Sequence, residues 1–120
     1  MKNFNYAIAA AALLMAAGTQ AHVTLEEPAA VANTSYKAVL RVTHGCEGSA
    51  THTVRVQVPE GFLGAKPMPR PGWKLEIRRA KLAQPYDSHG RKIEETVTEV
   101  SWLAQQAEAF LADAHYDEFV

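Results

Sequence analysis

The feature that most limits the folds open to this chain is a recurring two-residue alternation of apolar and polar side chains. Tyr36, Ala38, Leu40 and Val42 fall on one face of the first such segment, with Lys37 and Arg41 on the other. Val54, Val56 and Val58 alternate with Arg55 and Gln57, and Trp73, Leu75 and Ile77 alternate with Lys74, Glu76 and Arg78. Successive side chains of a β-strand point to opposite faces, so this period predicts half-buried strands. Turn chemistry separates them. Pro59-Glu60-Gly61 follows the second run, and Lys66-Pro67-Met68-Pro69-Arg70-Pro71-Gly72 precedes the third. In the latter, alternate prolines remove backbone donors and favour an extended path that ends in a turn. Tyr86 to Gly90 predicts another turn, and Ile93 to Trp102, rich in Thr and Val, a fourth strand.

The tail departs from this pattern. Leu103, Ala107, Phe110, Leu111 and Ala114 stand at helical spacing among Ala, Gln and Glu, which predicts a short helix over 103–114. Tyr116 to Val120 then predicts the beginning of a strand. Short strands separated by turns predict an all-β, antiparallel β-sandwich, and a version with four or five strands keeps an open edge.

Ahead of this domain, Lys2 is followed by an almost unbroken apolar run from Ala7 to Ala17 and by Gly18-Thr19-Gln20-Ala21. That arrangement predicts a secretory signal-peptide helix over residues 1–21, removed after Ala21, and a mature domain over 22–120 in the periplasm or outside the cell. The apolar run is shorter than the roughly 20 residues of a membrane-spanning helix; an uncleaved anchor is the alternative. The sequence has 12 basic and 13 acidic side chains, a balance that suggests no field built for nucleic acid or anionic lipid. Cys46 is the only cysteine, unusual for an exported chain, because oxidising compartments favour paired thiols.

Cleavage after Ala21 would make His22 the first residue and give it both a free α-amine and an imidazole. Both nitrogens lose their protons to a metal readily near neutral pH, and a nitrogen chelate of this kind suits Cu(II), which stands at the top of the divalent affinity order. In an extended chain His22, Thr24 and Glu26 project to one face, which makes Glu26 the carboxylate candidate ahead of Glu27. A solvated strand carboxylate is the plainer reading of Glu26. His44-Gly45-Cys46 brings a nitrogen and a soft sulfur together, either for Cu(I) or redox work or as a loop whose cysteine lacks its disulfide partner. Asp113-Ala114-His115 could add a second histidine if it lay on a strand, and is otherwise an acidic surface histidine. Met68 is a possible soft ligand, though a lone methionine more often fills a packing gap. Trp73 and Trp102 are expected in the core, His52 as an interior histidine in phase with Val54, and His89 in a turn. No G-x-S-x-G, nucleotide-binding glycine loop, H-E-x-x-H or paired C-x-x-C occurs, so no hydrolase, nucleotide or zinc-enzyme motif is present.

Several segments taken together carry a family resemblance: His22-Val23-Thr24-Leu25-Glu26-Glu27-Pro28, His44 to Ser49, Val56 to Gly61, Lys66 to Pro69, Pro71-Gly72-Trp73 and Tyr116 to Phe119. On these the chain resembles the YcnI domain family, also called DUF1775, over essentially all of residues 22–120. The resemblance implies an immunoglobulin-like β-sandwich, exported and binding Cu(II) without being an enzyme, with copper-handling envelope proteins as partners. It implies a site made of the mature N-terminal amine, the imidazole of the same residue, a carboxylate and a tryptophan, matched here by His22 and, for the carboxylate, by Glu26. It also implies further strands after the Asp117-Glu118-Phe119 segment, with a second cysteine and the site tryptophan, so the chain is expected to be a shortened form of the domain. Two other readings stand beside the copper carrier: a copper-independent envelope interaction module, and an oxidative copper enzyme drawing a second imidazole from His44, His52, His89 or His115.

Overall fold

The computed structural model describes residues 23–43 and 48–120, and the fold in it is all-β. Strands β1 (Val23–Leu25), β2 (Leu40–Val42), β3 (Thr53–Gln57), β4 (Trp73–Ser88), β5 (Arg91–Ala104) and β6 (Asp117–Phe119) form two antiparallel sheets. One has the order β1-β2-β6, the other β3-β5-β4. The predicted signal segment, His22 and the loop from His44 to Glu47 lie outside the described residues. Among the described residues no helix is long and apolar enough to cross a membrane.

The core lies between the sheets, as the alternation requires. Val42 and Phe119 from the first sheet meet Val54, Val97, Val100 and Trp102 from the second, and Leu111 closes one side. Phe119 is fully buried, its ring centroid 5.2 Å from that of Trp73 and 5.4 Å from that of Trp102, both edge-on. Both tryptophans therefore belong to the core, Trp102 buried and Trp73 packed against it, as their strand phase predicts.

The third and fourth predicted strands are one long hairpin. β4 runs eleven residues past Ile77, and the turn shrinks from Tyr86–Gly90 to His89-Gly90 alone. These two residues have φ of 50° and 76°, the left-handed pair that a two-residue hairpin needs to follow the twist of its strands. The hairpin is interrupted between Arg78 and Arg79 and again between Lys81 and Tyr86, where the register shifts. The first predicted strand is shorter than its pattern: only Leu40–Val42 joins the ladder, while Tyr36 packs edge-on against Phe62 at 6.2 Å.

The predicted helix over 103–114 is absent. Leu103 and Ala104 finish β5, paired with Thr53 and Trp73, and only Ala107–Ala109 makes a single 3-10 turn. Leu111 then bridges to Thr51 through two backbone bonds and is buried. The helical spacing of apolar residues arises here because the segment anchors twice, at Leu103 and Leu111, and spans the gap between the anchors in one tight turn. Sheet pairing at both ends offers more than an isolated helix too short to stand alone. His52 is likewise exposed, not interior. It precedes β3, where neither sheet covers it; its ring leans on Phe110 at 5.6 Å and Nδ1 sits 2.7 Å from Thr53 Oγ1.

Candidate functional site

The register of the β1-β2-β6 sheet decides which chemical groups come together. Val23 pairs with Val42, and Val42 with Asp117, so the start of β1, the end of β2 and the start of β6 form one edge. The covalent chain leads from that edge directly to residue 22, to the 44–47 loop and back to the turn at 112–115. In that turn His115 N–H donates to the Ala112 carbonyl at 2.9 Å, and both Asp113 and His115 are exposed. Asp113 Oδ2 comes within 3.9 Å of the place a side chain would occupy at Gly48. The Asp113-Ala114-His115 triplet is thus neither on a strand nor on a helix, and the shared-face argument for it does not apply.

Thr24 faces Arg41 across the ladder, and Glu26, whose backbone N–H donates to the Val39 carbonyl at 2.9 Å, approaches the same Arg41. The Glu26 carboxylate is 3.7 Å from the Arg41 guanidinium, and both side chains are more than two-fifths exposed. Two geometric facts bear on Glu26 as a metal ligand. It stands at the end of β1 remote from residue 22, about 10 Å beyond Val23 at the usual rise of a strand. Its charge is already shared with a cation.

Among the described residues no group of three or more His, Cys, Asp or Glu converges as a metal site. Described side chains therefore fit copper only as supplements, Thr24 with its hydroxyl and Glu26 with its carboxylate. The principal donors would have to be the amine and imidazole of His22.

The proline segment has a different role from the soft-ligand one considered for Met68. Met68 N–H donates to the Val120 carbonyl at 2.7 Å, and its own carbonyl accepts the Trp102 indole N–H at 3.0 Å, while its side chain is 51% exposed. Two residues on, the Arg70 guanidinium donates to the Glu118 carbonyl at 2.8 Å and to Asp117 Oδ2. It also lies 4.3 Å from the Phe119 ring centroid. Pro71 and Gly72, with φ of 79° at Gly72 and a Trp73 N–H bond to the Arg70 carbonyl at 3.1 Å, then turn the chain into β4. This strap ties β6 to the opposite sheet through one side chain and three backbone groups. Arg70 carried no sequence signal beyond its setting among prolines.

Taken together, the described residues define a small β-sandwich of two three-stranded antiparallel sheets, clasped by a proline strap. The family model for DUF1775, a domain of unknown function, matches residues 22–120. The chain belongs to that family. Comparison with curated proteins and with solved structures found no match.

Proposed function

We propose that this protein is exported, cut after Ala21, and carries Cu(II) as cargo in copper trafficking or homeostasis, with the α-amine and imidazole of His22 as its clamp and Glu26 as the candidate carboxylate. One observation carries the reading: the family match starts at residue 22, the residue that signal cleavage would expose. β1 begins one residue later, so the fold is anchored immediately after the proposed clamp. An amine–imidazole nitrogen pair at such a terminus prefers Cu(II) over other divalent ions.

Titration of the processed protein with Cu(II), followed by electron paramagnetic resonance, tests it. Tight binding with one imidazole and one amine nitrogen is expected, and one extra residue placed before His22 should abolish it. Undiminished binding by the extended protein would overturn the reading.

A copper-independent interaction module is favoured by one feature: β1 is an edge strand whose Val23 and Leu25 are 46% and 43% exposed. The two readings separate on thermal unfolding, because a ligand that binds only the folded state raises the unfolding temperature. A copper-dependent rise supports the carrier, and no rise supports the module.

A further inference from the structure

The distal half of the β4–β5 hairpin extends the inward face of its sheet past the end of the sandwich core. Trp73, Leu75 and Ile77 supply that face where the first sheet covers it, and Arg79 follows in the same phase where the cover ends. On β5 the face continues as Val97, Glu95, Ile93 and Arg91, every second residue. The irregularity between Arg78 and Arg79 keeps Arg79 opposite Val97, so an arginine stands where the apolar series would put a core residue.

This face lines an open cleft of about 570 Å³, together with Gly64, Ala65 and Lys66. Its volume is in the range of small-molecule sites. Lys66, Arg79 and Arg91 enter it from three separate segments, with Glu95 as the one acidic residue in the lining. Three cations against one carboxylate leave two positive charges in excess, in a chain whose formal net charge is −1. Five other cations, Arg41, Arg55, Arg70, Lys74 and Lys92, each have a carboxylate partner. Among the described residues, Lys66, Arg79 and Arg91 have none, nor do Lys37, Arg78 and Lys81, which are not in the cleft lining. Unpaired cations that converge on a concave surface, beside Tyr86 and Ile93, are arranged for an anion with an apolar body.

We propose that this cleft binds a phosphate-bearing ligand, gripped by the guanidinium groups of Arg79 and Arg91 and the ammonium of Lys66. Two arginine forks arriving from opposite arms of the hairpin can take different edges of a tetrahedral phosphate, whereas a planar carboxylate offers one edge only. A doubly charged phosphate also matches the excess of two charges. The phosphate can come from a small soluble molecule or from a phospholipid headgroup, and the chemistry at the cleft is the same.

Isothermal titration of the purified chain with inorganic phosphate, and sedimentation with phosphatidylglycerol vesicles against phosphatidylcholine vesicles, test the proposal. Arg79→Gln and Arg91→Gln should each weaken phosphate or anionic-vesicle binding by about tenfold, the factor equivalent to 1.4 kcal/mol, at the low end for a bond to a charged group. Arg78→Gln, on the opposite face of the same strand and also without an ion-pair partner, should change it little. Unfolding temperature reports whether each variant is folded. Binding of phosphate in solution assigns a soluble ligand, and binding of anionic vesicles alone assigns a headgroup. The proposal is overturned if neither probe binds, if acetate competes as well as phosphate, or if Arg78→Gln costs as much as Arg79→Gln.

Discussion

Replacing Arg70 by methionine keeps an unbranched apolar stem over Phe119 and removes only the guanidinium. Three losses follow. The bond to the Glu118 carbonyl is a charged donor on a neutral acceptor and is worth about 1.5 kcal/mol. The pair with Asp117 is discounted to about 1 kcal/mol, because the Asp117 side chain is 37% exposed and solvent screens it. The cation against the Phe119 ring adds about 0.5 to 1 kcal/mol. One gain offsets them: Arg70 Nε is buried without a partner, and its removal returns about 1 kcal/mol. The net expectation is a destabilisation of about 2 to 2.5 kcal/mol, or a fall in Tm of roughly 8 to 20 °C for a domain of this size. Urea unfolding followed by tryptophan fluorescence is the assay, since both tryptophans lie against Phe119 and report the same junction. Arg70→Lys should recover the charge but not the fork, and fall between. A double-mutant cycle with Asp117→Asn should show coupling of about 1 kcal/mol. If Arg70→Met unfolds within about 0.5 kcal/mol of the parent, the strap does not hold β6 and the account of the proline segment is wrong.

Phe119→Ala empties the most deeply buried position and should cost about 3 to 5 kcal/mol, a large share of a small domain's stability; soluble protein with an unchanged urea midpoint would refute it. Gly72→Ala forces a side chain into a left-handed backbone and brings its Cβ to 3.2 Å from that of Ala109, for an expected loss of about 1 to 2 kcal/mol by the same unfolding assay. Trp102→Phe removes the indole bond to the Met68 carbonyl, so hydrogen exchange at the Met68 amide should quicken relative to amides in the middle of β5, and equal rates would count against the strap. Arg41→Ala frees Glu26 from an exposed ion pair worth about 0.2 to 1 kcal/mol, so Cu(II) affinity measured by chelator competition should rise up to about fivefold, and no rise would remove Glu26 from the ligand set.

The strand phases were legible because burial on one face of a sheet is a local, period-two property. Val54, Val100 and Trp102 point inward where the alternation puts them. What stayed hidden depended on partners far along the chain. The stretch from Leu103 to Leu111 has helical spacing, yet its structure is set by Thr53 in β3 and Thr51 just ahead of it, which pair with its two ends. His52 shares its phase with Val54, but phase does not say where the covering sheet stops. The same limit concealed the basic cleft: overall charge is nearly balanced, and only the fold brings Lys66, Arg79 and Arg91 to one concave surface.

The segments that identify the family divide between two physical tasks. The proline segment and the Asp117-Glu118-Phe119 strand meet each other through Arg70, Met68 and Val120, and Pro71-Gly72-Trp73 completes the same junction, so these motifs specify how the sheets are clasped. Val23 and Thr24 form their ladder with Val42 and Arg41, apart from the hydrogen bonds of that clasp. A substitution in the strap should therefore lower stability and leave the intrinsic metal affinity of the folded fraction unchanged. An addition before His22 should do the reverse, and this separation lets loss of copper binding be read as chemistry and not as unfolding.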